Sequence, residues 1–420
     1  VTTPSSPSAR PWIERHAAAA VREALSDTRV VVIGGPRQVG KSTLARHVVA
    51  HDPTAVIATF DDAETLAAAR GDPKAFLRHE GTLVLDEIQL APDLYRSIKA
   101  AVDRDRRPGR FLLTGSANVF LLPRLADALT GRMEVVELWS FSQGELAGTR
   151  ERFVDLLLDG GEALRVKGTD DKLGYLSRAV RGGFPEAVAR PSEASRTRWY
   201  ASYLADVVRN DVAALADIDR LHDFPKIVRL VAARTATVLN VEGLARDARL
   251  PPSTMRRYLT LLDATCLLIR LPAWSSNRTS RAVRAPKIHL ADSGLAAHLV
   301  GASAKALERP PSDAGTILET FVVMELRRQL GWAAVRATLG HFRTRDGVEV
   351  DVVIETADGR VAGIEVKAGH RVAEADFRGL RHLRDRAGGR FAAGVVLYAG
   401  ETPLPFGDGL WAVPISALWT

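Results

Sequence analysis

The sequence predicts an α/β chain of several domains, and three observations carry that prediction. Its 420 residues exceed what one hydrophobic core usually holds, so two to four domains are expected. From Arg29 onward, five apolar runs alternate with helical stretches: VVVIGG, AVIATFDD, TLVLDE, RFLLTGS and MEVVELW. Buried strands separated by helices make a parallel five-stranded sheet covered on both faces. The third observation is charge. The chain carries +7 overall, yet residues 225–290 alone carry +9, with 12 basic and 3 acidic residues, while residues 1–150, 151–224 and 291–420 net +1, −2 and −1. Genomic base composition would scatter arginine evenly; a local excess predicts a polyanionic partner.

Composition narrows the class further. With 46% hydrophobic and 25% charged residues, wholesale disorder is excluded. No apolar run approaches the roughly 18 residues of a membrane span. The first twenty residues lack the basic-then-apolar order of a signal peptide, and the single cysteine, Cys266, permits no internal disulfide and no cysteine-based zinc site. A cytoplasmic protein with no membrane attachment is expected. The expected division is an N-terminal segment (1–24), the sheet domain (25–150), a helical linker or lid (151–224), a winged helix-turn-helix (225–290) and a mixed α/β domain (291–420).

After the first strand stands Gly35-Pro36-Arg37-Gln38-Val39-Gly40-Lys41-Ser42-Thr43, a full match to G-x-x-x-x-G-K-[ST]. Such a loop curls backbone N–H groups around phosphate oxygens, Lys41 would reach the β- and γ-phosphates of ATP, and the Ser42 hydroxyl would hold Mg²⁺. The helix predicted over 43–49 turns its positive end to the same place. Leu83-Val84-Leu85-Asp86-Glu87 supplies the second half. Asp86 at a strand end completes the magnesium shell, and Glu87, one residue on, can orient and deprotonate an attacking water. The strand 111–115 ends in Thr114-Gly115-Ser116, followed by Asn118; a polar side chain there senses the γ-phosphate, or Ser116 caps a helix. Asp61 and Asp62 are either acids near the metal or a solvated turn. Arg132, just ahead of the last strand, falls on the rim of the domain, where a cation can complete a neighbouring subunit's site.

GPRQVGKST, LVLDEIQ, LLTGSAN and LTGRMEVVELWSFSQGE together resemble the prokaryotic AAA-type ATPase family that carries a C-terminal domain of unknown function. GGFPEAV, YLADVVRNDV, IHLADSGLAAHL, LETFVVMEL and EVDVVIE…IEVKAG are similar to that family's second half, so the likeness covers almost the whole chain after residue 25. The resemblance implies a P-loop AAA-type core, a winged-helix element and a nuclease-like end.

The residues can be read for each of these. Residues 241–248 make an amphipathic helix, Leu250-Pro251-Pro252 a turn, and Ser253 the expected cap of a second helix through Leu262: a helix-turn-helix. Arg256 and Arg257 lie on its exposed positions, LLIRLPAW reads as a hairpin-like wing, and Arg278, Arg281, Arg284 and Lys287 are expected to extend the positive surface. Arginines at this density mostly contact phosphates, so binding should be salt-sensitive and of low sequence specificity. Protein packing is the other use of such a module.

In the C-terminal domain a helix over 316–330 precedes strand-like runs at 335–343, 348–354 and 361–367, a helix at 373–386, and strands at 392–398 and 411–415. This αβββαβ order is that of restriction-endonuclease-like folds. A turn at Asp358-Gly359 sets Asp351 opposite Glu365, and Glu365 and Lys367 share a face. With Glu319 on the preceding helix, these residues resemble the metal site of PD-(D/E)xK nucleases, which would take Mg²⁺ or Mn²⁺; a cross-strand salt bridge is the plainer alternative. Two functions follow. One is an Mg²⁺-dependent ATPase that remodels or processes duplex or branched DNA as a homo-oligomer, a six-subunit ring among its forms, with a metal-dependent nuclease at its end. The other is a non-cutting ATP-dependent regulatory or defence-associated switch on DNA or protein, its nuclease module decayed.

Overall fold

A computed structural model of the chain describes residues 12–116, 127–213 and 221–420, with the side chains of Leu221, Arg278, Ser280 and Ala282 left aside. Asn118 lies outside the described residues. The N-terminal half is built on strands β1 (Val30–Gly34), β2 (Val56–Thr59), β3 (Leu83–Asp86), β4 (Phe111–Gly115) and β5 (Met133–Glu137). They form one wholly parallel sheet in the order β2-β3-β4-β1-β5. Because all five run the same way, the segments leaving β1, β3 and β4 emerge along one edge, the usual place for a ligand crevice.

Every residue of β1, β3 and β4 is buried, as their largely apolar runs VVVIG, LVLD and FLLTG require. The expectation of five buried strands fails at the two edges. Val56 and Ile57 of β2 are 38% and 43% exposed, and β5 is buried only at Val136, because an edge strand has a neighbour on one side alone.

Helices Lys172–Arg181, Pro185–Val188 and Glu193–Asp206 follow, the last continuing through a π-helical turn, Val207–Val212. A π-turn inserts one residue per hydrogen-bonded ring and re-aims the side chains after it. The basic module then comprises helix Phe224–Ala232, β6 (Thr237–Val238), helix Val241–Ala248, helix Pro252–Ala264, β7 (Leu268–Leu271), helix Arg278–Val283 and β8 (Lys287–Leu290). Its three strands form an antiparallel sheet in the order β6-β8-β7. Asn240 caps the first helix of the pair, and Arg249 ends it in a left-handed conformation. Three expectations need correction. Pro251, not Ser253, stands at the start of the second helix, with Pro252 in its first turn, where a missing N–H costs nothing. LLIRLPAW is no hairpin: its strand β7 pairs with β8, fifteen residues farther on, and Ala273 bridges to His341. Lys287 is buried rather than on the surface.

The C-terminal domain opens with helix Ala314–Gln329 and continues with β9 (Ala337–Arg343), β10 (Glu349–Thr356), β11 (Val361–Lys367), helix Arg378–Ala387, β12 (Phe391–Tyr398), β13 (Leu404–Pro405) and β14 (Leu410–Pro414). The sheet order is β13-β14-β12-β11-β10-β9. β10 and β11 form a hairpin in which Val352 faces Ile364, a register that sets Asp351 against Glu365. One continuous apolar core runs from Val21 and Leu44 beside β1, through Phe184, Tyr200 and Leu262, to Phe321 and Leu418. The segments separated by composition therefore share one interior. Among the described residues, no helix is long and apolar enough to cross a membrane.

Candidate functional site

Three strand ends and one loop make the first site. Gly35, immediately after β1, has φ +147°, and a β-carbon there would stand 2.0 Å from the Leu138 carbonyl oxygen, so only glycine lets the loop leave the strand so close to its neighbour. Gly40, with φ +94°, turns the loop into helix Lys41–Val49. Lys41 is buried, and its ammonium donates to the carbonyls of Gly35 (3.1 Å) and Pro36 (2.7 Å). Burial lowers its pKa despite the nearby Glu87. Among the described residues, the carbonyls of its own loop are the hydrogen-bond partners of this buried cation.

Ser42 Oγ donates to Asp86 Oδ1 at 2.7 Å, and the Thr114 hydroxyl donates to the same oxygen. Thr114 also accepts the Glu87 N–H at 3.2 Å, which fixes Glu87 in a left-handed turn (φ +57°) just past β3. The Gln89 amide donates to the Glu87 carboxylate and, at 3.1 Å, to Ser116 Oγ. Arg37 reaches across to the π-turn, its Nε and Nη2 each 3.1 Å from Asp211, whose Oδ1 also accepts from Ser116 at 3.5 Å. Behind the loop, buried Arg15 donates to Val39 O (2.7 Å), Trp139 O (2.6 Å) and Glu145 (3.1 Å). Beside it opens a largely apolar cleft of about 510 Å³, lined by Trp12, Ile13, Val39, Thr43, Pro185 and Val188.

This chemistry suits a magnesium nucleotide. Ser42 and Asp86 offer adjacent hard oxygens, Lys41 and the loop N–H groups offer donors, and Gln89 Oε1 is buried with no partner. Of the other expected residues, Asp62 caps helix Ala63–Gly71 and Asp61 is exposed in the same turn. Arg132 lies before β5, at the sheet edge opposite the loop, with Nε 2.6 Å and Nη2 3.0 Å from Asp103.

The second cluster joins the basic module to the C-terminal domain. Glu319, Asp351 and Glu365 converge there and are all buried. The Lys287 ammonium, delivered by β8, lies 2.7 Å from Glu319 Oε1 and 3.0 Å from Asp351 Oδ1. Asp351 Oδ2 accepts the Val366 N–H at 3.0 Å, and Lys367 stands 3.8 Å from both Glu365 and Asp376. Burial and the two neighbouring charges act oppositely on Lys287, and its carboxylate partners prevail, raising its pKa. Burial and Asp351 push Glu365 well above the usual carboxylate range. Two of the three carboxylates expected to hold a divalent cation, Glu319 and Asp351, share the Lys287 ammonium instead, and Glu365 pairs with Lys367. The residues do not fit a metal as they stand: among the described residues, no group of three His, Cys, Asp or Glu side chains could hold one.

The basic face is only partly free. Arg281 forks onto Glu355 and lies over the Trp274 ring, Arg256 bonds Glu242 at 2.9 Å, and the side chain of Arg278 is outside the described residues. Arg256 and Arg257 are exposed. Exposed Arg284, Arg343, Arg345 and Arg386 line a cleft of about 280 Å³ between the module and the C-terminal sheet.

Residues 27–147 match a family model described as an AAA domain, and residues 174–306 and 314–418 match two domains of unknown function, DUF8612 and DUF4143. Uncharacterized protein Rv2008c of Mycobacterium tuberculosis and Uncharacterized protein Mb2031c of Mycobacterium bovis are each 32% identical over 412 residues, 97% of this chain and 84% of theirs. The chain belongs to their family and is an AAA-type ATPase. Among solved structures, the Thermotoga maritima RuvB Holliday junction branch migration motor is 19% identical, covering 61% of this chain and 87% of that one at a TM-score of 0.28. A Pyrococcus horikoshii signal transduction ATPase with numerous domains is 11% identical over 77% of this chain and 48% of that one, with a TM-score of 0.20. Superpositions that distant bear on nothing further.

Sequence reasoning misses three residues of this ATPase and misplaces a fourth. Gln89 was visible only as part of LVLDEIQ, two residues past Glu87, and nothing in the motif marks its role. Asp211 sits in YLADVVRNDV, but only the π-turn aims it at the loop. Arg15 lies before the first strand and has no pattern to find it. Lys287 was seen, but was assigned to the wrong environment.

Proposed function

We propose that this ATPase is a nucleotide-driven switch that holds DNA without cutting it. In this reading the loop from Gly35 to Ser42 binds the phosphates, Lys41 turns from its loop carbonyls to the β- and γ-phosphates, and Thr43 borders the base cleft. Ser42 and Asp86 hold Mg²⁺, which when bound neutralises phosphate charge. Glu87 takes the proton of the attacking water, and Ser116 reports phosphate occupancy to it through Gln89. Arg132 faces a second subunit and completes that subunit's site within a homo-oligomer. Arg256 and Arg257 contact a DNA backbone on one side of the basic module.

The observation that carries the DNA assignment is the cleft of Arg284, Arg343, Arg345 and Arg386: four exposed guanidinium groups around one hollow suit a phosphate chain. The absence of cutting rests on the Lys287 ammonium between Glu319 and Asp351. The test is fluorescence anisotropy with linear, forked and four-way DNA across a salt series, with and without ATP. Affinity should fall steeply with salt, and Arg343→Ala with Arg386→Ala should flatten the log–log slope by about one for each phosphate no longer neutralised. A salt-independent affinity would instead favour protein packing.

A second reading, a metal-dependent nuclease that processes branched DNA, is favoured by the pairing that sets Asp351 against Glu365, two residues from Lys367. Under it, Mg²⁺- or Mn²⁺-dependent nicking appears with the parent chain and vanishes in Asp351→Ala.

A further inference from the structure

A second positive hollow lies on the ATPase domain itself, within a segment (residues 1–150) whose charge nets only +1. Helix Pro73–Phe76, the turn after it, helix Leu94–Arg104 and the loop before β4 enclose a cleft of about 630 Å³. Lys74, Arg78, Arg96, Arg104, Arg107 and Arg110 line it, against two acids, Glu80 and Asp105. Asp105 is already engaged, its Oδ2 2.9 Å from Arg107 Nε and 3.6 Å from Arg110 Nε. Lys74, Arg78, Arg96 and Arg104 are exposed, and among the described residues their side chains have no hydrogen bond or ion pair. Burial lowers the pKa of Arg110, and Arg107 and Arg104 push it the same way against the pull of Asp105. Cations close enough to act on one another are relieved by an arriving anion.

This cleft is no part of the nucleotide site. It lies where β3 and β4 begin, whereas the phosphate loop, Asp86 and Ser116 lie where β1, β3 and β4 end, and the sheet is wholly parallel. Arg96, Ala100 and Arg104 recur every four residues and share one helix face, about 12 Å from first to last. On each strand of a DNA duplex that length spans about three phosphates. The lining holds no Phe, Tyr or Trp, and its apolar members are Leu77, Ala100 and Ala101. A protein partner is anchored by large buried side chains and a single strand by stacking platforms, whereas a duplex backbone needs neither. We propose that this cleft is a second nucleic-acid site, which holds the phosphate backbone of a DNA duplex at the edge of the ATPase domain opposite the nucleotide. The inference rests on the reading that DNA is the partner, but on none of the residues of the C-terminal arginine cleft. Contacts to phosphate alone make the site indifferent to base sequence.

The test is fluorescence anisotropy of the full chain with a blunt DNA duplex over a salt series. Arg96→Ala with Arg104→Ala should weaken binding and flatten the log–log slope by about two, one for each phosphate no longer neutralised. Arg96→Lys with Arg104→Lys should keep the parent slope, because the slope counts charges. ATP turnover without DNA should equal the parent's in both variants. In the parent, hydrogen exchange across 94–104 should slow when the duplex is added, a readout that needs no variant. The C-terminal pair, Arg343→Ala with Arg386→Ala, separates the two surfaces: if it leaves the slope unchanged while Arg96→Ala with Arg104→Ala flattens it, this site stands and the C-terminal cleft does not. A parent slope in Arg96→Ala with Arg104→Ala overturns the proposal whatever the C-terminal pair does, and so does exchange across 94–104 that the duplex leaves unchanged.

Discussion

Arg37, in the middle of the phosphate loop, is forked onto Asp211, a residue of the π-helical turn 174 positions away. The guanidinium that could meet a phosphate is thus held by the helical segment. Burial works against its charge, yet the bond to Asp211 prevails and raises its pKa. Asp211→Ala should free Arg37 for the nucleotide and tighten ADP binding several-fold, while Asp211→Ala in an Arg37→Ala background should change nothing. The partly exposed pair should couple by about 1 kcal/mol in the double-mutant cycle. Equal nucleotide affinities in parent and Asp211→Ala, measured by isothermal titration, would remove the latch.

Glu87, Gln89 and Ser116 form a chain in which one amide donates to both a carboxylate and a hydroxyl. While Gln89 holds it, the Glu87 carboxylate is less free to accept a proton from water. Glu87→Gln should bind ATP normally and lower turnover by roughly a hundredfold or more, the usual worth of a positioned base. Gln89→Ala should leave binding intact but change the dependence of turnover on Ser116, so that Ser116→Ala has a smaller effect in that background. Lys41→Ala should abolish ATP binding. Normal turnover in Glu87→Gln would show that another group activates the water.

Gly35 is the tightest point of the loop. A β-carbon there meets the Leu138 carbonyl oxygen at 2.0 Å, and the backbone angle of +147° is one that side chains rarely adopt. Gly35→Ala should cost on the order of 3 kcal/mol of stability through strain and displacement of Leu138. Nucleotide binding should fall with it. Gly71→Ala, with open space around it, serves as the control and should be near neutral. A Gly35→Ala chain that melts with the parent would mean that the loop relaxes freely.

What was legible in the sequence followed from local patterning. The runs that became β1, β3 and β4 are apolar up to their last one or two residues, and the hairpin register around Asp358-Gly359 follows from counting outward from the turn, so Asp351 and Glu365 could be paired in advance. The edge position of β2 could not be read, since strand order depends on which helices cover which face. Nor could the burial of Lys287. A lysine in a basic stretch reads as surface charge until the acids that surround it, 32 and 64 positions later, are brought to it by the fold. Asp211 was hidden for a similar reason: an α-helix continued through 207–212 would aim that residue elsewhere.

Glu325 offers a prediction in which pH is the variable. It is fully buried on helix Ala314–Gln329, accepts the Gln143 N–H at 2.9 Å and pairs with Arg328 at 2.7 Å. Arg328 in turn donates to the Ser140 carbonyl (2.8 Å) and hydroxyl (2.6 Å), so these two residues fasten the C-terminal helix to the segment leaving β5. Burial outweighs Arg328 and raises the Glu325 pKa from 4.5 to about 7. Between those values the folded chain keeps a proton that the unfolded chain gives up. The contribution to stability is therefore fully present below pH 4.5 and is lost as the pH rises toward 7. At about 1.4 kcal/mol per unit, the loss is on the order of 3 kcal/mol. Glu325→Gln keeps an acceptor for Gln143 but cannot titrate, so the stability difference between parent and variant should shift against the parent across that interval. Denaturant unfolding at a series of pH values measures it. Parallel curves would mean that Glu325 is ionised throughout, with Arg328 fully compensating its burial.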